Sequence, residues 1–382
     1  MKKIKVQIGT NISNKMHTLF HSFLNNPPEG VEYQKTSFKV INEKNYSLFG
    51  KAYKKITKTF PFLKKFHQDF NDLLRKDEGS DIVHFIFVFG KTKKNFVLEY
   101  ENSYSFVRID QKNKPRLKKR VIKQLSKNNV KFLIAIHKEA LKSFKLFFGN
   151  SVKVPQEILY PTIFIPEENR PKVKKKNKVI FISTSNNLED KAFLIKGGSE
   201  TLIAFEELAK KYPKWEFIIL GKVPRYLEKE FPKNLILKEG VPREKMWELF
   251  NESKIFVQPC YQAPAMAFLE AMWFKLPIIT YNCWGNPEYI DKENGIILDP
   301  KKINYIDEYN VPVYSEKVLD SIRKNSKENS KKILISVEKL IRNEKLRKKL
   351  GENGFDKVLN GKFSIEKRNE KLRKIYKEAL SS

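Results

Sequence analysis

The sequence predicts an α/β protein of two domains, each a doubly wound parallel sheet. Three observations predict it. At 382 residues the chain exceeds the roughly 250–300 at which one hydrophobic core stops growing. Apolar runs of strand length alternate with amphipathic stretches of helix length, the rhythm of parallel sheets joined by crossover helices. That rhythm breaks at a Pro- and Lys-rich segment at about 165–177 and then restarts, which places a linker there. The domains expected are 1–168, 169–360 and a closing helix, 361–382, that crosses back to the first domain.

KIKVQIG (3–9) alternates like a short strand and meets Gly9, after which Asn11, Ser13 and Asn14 offer caps to a helix through Met16, Leu19, Phe20 and Phe23. DIVHFIFVFG (81–90), NFVLEY (95–100) and KFLIAIH (131–137) are further strands of the first layer. Beyond the linker, KVIFIST (178–184), WEFIILG (215–221), NLILKEG (234–240), KIFVQP (254–259) and LPIITYN (276–282) are strands. SETLIAFEELAKKYP (199–213) and REKMWELFNES (243–253) are helices between them. WGNPEYIDKENGIILDP (284–300) turns back over the same sheet edge, and from about 330 the chain reads as helices. Ligands of such sheets lie beyond the carboxyl ends of the strands, where KIFVQP delivers the segment PCYQAPAMAFLEAMW (259–273). Its single acid, Glu270, is expected near the start of a helix.

With 41% hydrophobic and 13% aromatic residues the chain can build two cores, which excludes a disordered polymer. No stretch approaches the roughly 20 apolar residues of a membrane span, and the N-terminus lacks signal-peptide features, so a cytoplasmic location is expected. Cys260 and Cys283 stand at no metal-ligand spacing and read as free buried thiols. The net charge of +31, from 75 Lys and Arg against 44 Asp and Glu, can attract phosphorylated substrates or an anionic membrane. It can equally reflect composition or heat adaptation, because the lysines are spread along the chain. The stretch KNKPRLKKRVIK (112–123) is the densest basic face, and a peripheral contact with anionic lipid on the cytoplasmic side is one reading of it. A nucleic-acid partner is not favoured. His84 in DIVHF reads as a core histidine. There is no glycosidase carboxylate pair, no Ser-His-Asp order and no Walker sequence.

In order, KGGSETLIAF, PCYQAPAMAFLEAMW, LPIITYNCWGNPEYI and ENGIIL resemble the C-terminal domain of family 4 glycosyltransferases. The resemblance is strong over 178–300, fair over 340–382 and weak before 165. It implies a GT-B fold, two Rossmann-like domains facing a cleft, and retaining transfer of a sugar from a nucleoside-diphosphate donor to an acceptor hydroxyl. No cofactor and no metal are implied. Glu270 then resembles the ribose ligand, since one carboxylate can accept two hydroxyls; the plain alternative is a first-turn glutamate facing the helix dipole. Lys196 resembles the diphosphate ligand, with Gly197 permitting close backbone approach. The amides of Ala265 and Met266 would face the same diphosphate. Val241 falls where the family holds the base, and Gly9, which ends the first strand of the other domain, is counted with the donor-binding residues.

Three positions depart from the family. Gln262, eight residues before Glu270, stands where an acid is usual. The strand-end arginine falls near Thr184, with Lys191 as a substitute phosphate ligand. Glu101 aligns with a histidine of the first domain, so Gln262 and Glu101 are the only candidates for a catalytic role. The rival readings are a nucleotide-sugar 2-epimerase of the same fold and a protein that binds a nucleotide sugar or nucleic acid without turnover.

Overall fold

The structure is a computed structural model that describes residues 3–9, 18–34, 79–87, 92–107, 114–166, 174–183 and 189–381. The helix expected to begin near residue 14 is described from Thr18 to Asn25, and Thr184 lies outside the described residues. Contacts divide the chain into two compact units. The first is Met1–Ile136, Phe148–Ile158 and Asn369–Ser382; the second is His137–Phe147 and Leu159–Arg368. Ile163 and Ile165, at the edge of the expected linker, are buried in a core of the second unit.

The first unit holds β1 (Ile4–Ile8), β2 (Val31–Gln34), β3 (Ile82–Ile86), β4 (Phe96–Tyr100), β5 (Val130–Ala135) and β6 (Gln156–Ile158). Their order is β2-β1-β3-β4-β5-β6, all parallel. Its helices are α1 (Thr18–Asn25), α2 (Tyr104–Val107) and α3 (Lys114–Leu125); α4 (Lys138–Phe148) groups with the second unit except for its last residue. Every residue of β3 and β4 is buried, as expected of parallel strands covered on both faces. β2 and β6, with sequences VEYQ and QEI, carry no apolar run, and sequence reasoning missed both.

His84 is a core residue. It is fully buried on β3, its Nδ1 lies 2.7 Å from the Tyr376 hydroxyl, and its Nε2 lies 3.5 Å from Glu99 Oε2. Tyr376 also meets the Tyr33 hydroxyl at 3.1 Å, and Asn95 Nδ2 donates to the Ala379 carbonyl. These bonds hold residues 369–381 to the first sheet.

In the second unit the strands are β7 (Lys178–Ser183), β8 (Glu216–Gly221), β9 (Leu235–Lys238), β10 (Ile255–Val257), β11 (Ile278–Tyr281) and β12 (Gly295–Leu298). They form a parallel sheet in the order β12-β11-β10-β7-β8-β9. Successive side chains alternate faces, so each strand supplies two cores. Phe181, Phe217, Ile219, Val257 and Tyr281 go to one; Ile180, Ile218, Phe256 and Ile278 go to the other. The first core is covered by α5 (Glu189–Ile195), α6 (Gly198–Lys211) and α10 (Glu316–Arg342). α7 (Arg243–Glu252) and α8 (Ala265–Trp273) cover the second, with Val358 of α11 (Glu344–Leu359) and Phe363. A short α9 (Asn286–Tyr289) and a final α12 (Ile365–Ser381) complete the chain. The closing helices begin at Glu316 rather than near 330, because Ser315 caps α10 by accepting the Val318 amide.

Candidate functional site

After β7 the chain builds β8 and β9 on one side of the second sheet; from β10 it builds β11 and β12 on the other. The strand order therefore reverses between β7 and β10. At such a switch point the connections from the two carboxyl ends part and leave room for a ligand. The connection after β7 carries Lys196 and Gly197, and that after β10 carries residues 258–264.

These two segments are locked together. Gly197 has a φ of 74°, and a Cβ there would stand 2.2 Å from the Pro259 carbonyl oxygen, so only glycine fits. The Tyr261 amide donates to the Ile195 carbonyl at 2.9 Å, and Gln258 Nε2 to the Lys196 carbonyl at 3.5 Å. Thr201 Oγ1 donates to the Gly197 carbonyl at 2.7 Å. Lys196 is half-buried, and burial holds its ammonium below the usual lysine range, with nearby Cys260 acting the other way. An arriving anion would reverse that shift, because it favours the charged amine.

α8 opens on Pro264 with no side-chain cap, so Ala265 and Met266 supply its first amides at the same sheet edge. Glu270 lies in the second turn of this helix, and α8 has no acid in its first turn. The expectation of a glutamate near the helix start is corrected, and the dipole alternative goes with it. Glu270 is 4% exposed, and Trp247 Nε1 donates to its Oε1 at 3.4 Å. Val241, Ala265 and Met266 are half-buried against the core that also buries Trp247. The structure thus brings Lys196, Gly197, Ala265 and Met266 to one sheet edge, with Glu270 on the helix that starts there.

Of the remaining candidates, Gln262 lies in the same loop after β10 and the others fall elsewhere. Gln262 pairs with Trp284 in an isolated parallel bridge, beside a bond from the Ala263 amide to the Trp284 carbonyl. Lys191, on α5, forms a 2.7 Å ion pair with Glu316. Gly9 and Glu101 belong to the first unit. The Gly9 amide donates to the His84 carbonyl at 2.7 Å, and a Cβ at Gly9 would overlap the Phe85 ring. Glu101 directly follows β4.

Sequence reasoning gave no role to several residues that shape this edge. Asn286 is fully buried; its Nδ2 donates to the Cys260 and Tyr281 carbonyls at 2.7 and 2.9 Å, joining the loop after β10 to the end of β11. Glu288 accepts the Lys138 and Glu139 amides and the Tyr160 hydroxyl, so it caps α4. His137 stands 4.0 Å from Glu288, but burial pushes its pKa to about 3 and its Nδ1 accepts the Ala140 amide, so the imidazole is neutral. The NPE triplet was the only signal for these two roles. Cys260 and Cys283 are both buried and free. Among the described residues no helix is long and apolar enough to cross a membrane.

Comparison with known proteins fits this arrangement. Residues 166–332 match the family described as glycosyl transferases group 1. A curated relative, an uncharacterized glycosyltransferase of Haemophilus influenzae, is 29% identical over 153 residues; the match spans 34% of this chain and 43% of that protein. Among solved structures, Anabaena HepE in complex with UDP and glucose aligns with a TM-score of 0.56 at 11% identity, covering 99% of this chain and 100% of that one. Sucrose-phosphate synthase of Thermosynechococcus elongatus gives 0.54 at 10% identity, with 99% of both chains covered. A glycosyltransferase of Rickettsia africae ESF-5 gives 0.51 at 14%, also with 99% of both covered. At these identities the likeness is one of fold. The chain therefore has the GT-B fold of glycosyltransferases, and its match to the glycosyl transferases group 1 covers the segment that carries the Lys196 turn and Glu270.

Proposed function

We propose that the chain is a retaining, hexosyl-type glycosyltransferase similar to family 4, which moves a sugar from a nucleoside-diphosphate donor to an acceptor hydroxyl on a glycan, lipid or small molecule. The observation that carries this reading is the Lys196–Gly197 turn seated against Pro259 at the strand-order switch, beside the helix that buries Glu270. In this reading Glu270 accepts the ribose hydroxyls, and main-chain groups near Val241 meet the base. Lys196 and the amides of Ala265 and Met266 take the diphosphate, which keeps the electron pair as the bond from sugar to phosphate breaks and accepts the proton that the acceptor hydroxyl gives up as its oxygen bonds the sugar. Charge stabilisation by fixed donors is the main source of rate in such a site, here without a metal. Gln262, which carries no charge, can hydrogen-bond a sugar hydroxyl or a phosphate. The exposed Lys119 and Arg120 of α3 offer a contact for anionic lipid at the cytoplasmic face.

The HepE complex with UDP and glucose makes UDP-sugars the first donors to try. Incubation with UDP-, GDP- and ADP-sugars, with and without EDTA, should release nucleoside diphosphate slowly even without acceptor. An intact donor after long incubation would leave a binding protein, and a 2-epimerised sugar would leave an epimerase.

A further inference from the structure

Glu200 has no part in the roles assigned above. It lies in the first turn of α6, just past Gly197, and is 0% exposed. Its Oε1 accepts the Tyr261 hydroxyl at 2.9 Å, and Asn329 Nδ2 on α10 donates to that hydroxyl at 3.5 Å. Its Oε2 has no hydrogen-bond partner among the described residues, nor has the buried Tyr281 hydroxyl. A carboxyl is costly to bury in this way. Its position explains what the cost supports. Tyr261 stands two residues after Pro259, whose carbonyl abuts Gly197, and its amide binds Ile195. Glu200 therefore closes a ring of contacts between the Lys196–Gly197 turn and the loop after β10.

We propose that Glu200 is a positioning residue for the donor diphosphate: through the Tyr261 hydroxyl it holds the 258–262 loop against the Lys196–Gly197 turn, and its own charge sets how well that pair of segments receives an anion. This rests on the reading of that turn as the diphosphate site. A neutral Glu200 keeps the bond from Tyr261 and adds no charge behind the turn. An ionised Glu200 puts a negative charge in an apolar wall, where it opposes an incoming diphosphate more strongly than it would in water.

Burial pushes the Glu200 pKa up to about 7, while its own amide and the Tyr261 hydroxyl pull it down. The ionisable groups that interact with it are Tyr261, Tyr281 and Cys283, and Tyr305 and Cys260 lie next to these. Burial raises all three tyrosines above their usual range and both thiols to about 12, so these groups stay neutral near pH 7. Glu200 is the member of this cluster that changes charge there. Since its folded pKa is raised, its contribution to stability is complete below the unfolded value of about 4.5 and is lost as pH rises through about 7.

The test is calorimetric titration of wild type, Glu200→Gln and Tyr261→Phe with UDP, GDP and ADP at a series of pH values from about 6 to about 8.5, with melting curves for each protein. Glutamine reproduces the neutral carboxyl in shape and acceptor. Wild type and Glu200→Gln should bind alike at the lower pH, and the variant about 3- to 10-fold tighter at the higher. Taking their ratio removes the titration of the nucleotide's own phosphate. Tyr261→Phe removes the donor that lowers the Glu200 pKa, so its affinity should decline at a higher pH than that of wild type. A ratio that is the same across the series, or a midpoint unmoved in Tyr261→Phe, overturns the proposal. If Glu200→Gln fails to fold, the midpoint comparison between wild type and Tyr261→Phe decides. Failure of wild type to bind any of the three nucleotides at any pH in the series would overturn the donor-site reading itself.

Discussion

Glu270 and Glu200 show how differently two buried acids of one unit can be placed. Glu270 sits in the second turn of its helix with Trp247 Nε1 on one oxygen, where the helix dipole has little hold on it. If it also accepts ribose hydroxyls, Glu270→Ala removes bonds to a charged acceptor worth roughly 1.5–3 kcal/mol each at best. Replacement water reduces the total, so donor affinity should fall by about 30- to 1,000-fold, or about 2–4 kcal/mol. The variant also strands the Trp247 N–H and should melt lower. Trp247→Phe, which removes that bond from the other side, supplies the control. A Glu270→Ala protein that melts lower but binds nucleoside diphosphate as tightly as wild type would reduce Glu270 to a partner for Trp247.

The decisive element is the turn between α5 and α6. Gly197→Ala would place a methyl against the Pro259 carbonyl in a backbone conformation that costs other residues about 1–2 kcal/mol before any clash. The turn or the loop after β10 must shift, so both the melting temperature and donor affinity should drop. Gly30→Ala is the comparison. That glycine also has a positive φ, 75°, but a Cβ there meets nothing within 4 Å and it has no part in the donor site, so the variant should lose stability through strain alone. Equal losses of donor affinity in the two variants would mean that contact with Pro259 does not matter. In the first unit the corresponding element is the end of α12. Tyr376→Phe removes the hydroxyl that meets both His84 and Tyr33 and leaves a buried ring nitrogen without it, at a cost of about 1–3 kcal/mol. Thermal unfolding should report that loss, and an unchanged melting curve would show that the tyrosine ring alone anchors this segment.

At the scale of the whole molecule, the net charge of +31 makes some attraction to anionic surfaces unavoidable at low salt. Localisation of that attraction is the testable point. Changing Lys118, Lys119 and Arg120 of α3 to Ser should weaken sedimentation with phosphatidylserine vesicles at physiological salt and leave UDP affinity unchanged. Vesicle binding that persists would assign it to the diffuse charge instead. The layered fold itself was legible in the sequence, because buried parallel strands must be continuous apolar runs and these stand out from Lys-rich helices. Lys196, Gly197 and Glu270 were legible as a pattern, through their fixed order along the chain. Glu200 was not: an acid in the first turn of a helix reads as an ordinary surface residue facing the dipole. Nothing local announces that Tyr261, 61 residues on, will cover it. The same holds for Asn286 and Glu288, whose partners come from other loops. Periodicity and composition act over a few residues, and so the sequence by itself determined which buried segments are strands and which loops fall at the carboxyl edge, while the short, partly exposed β2 and β6 escaped it. Which loops touch there was decided only by the strand order of the folded sheet, since that order sets β10 beside β7 and closes the Gly197 turn onto Pro259.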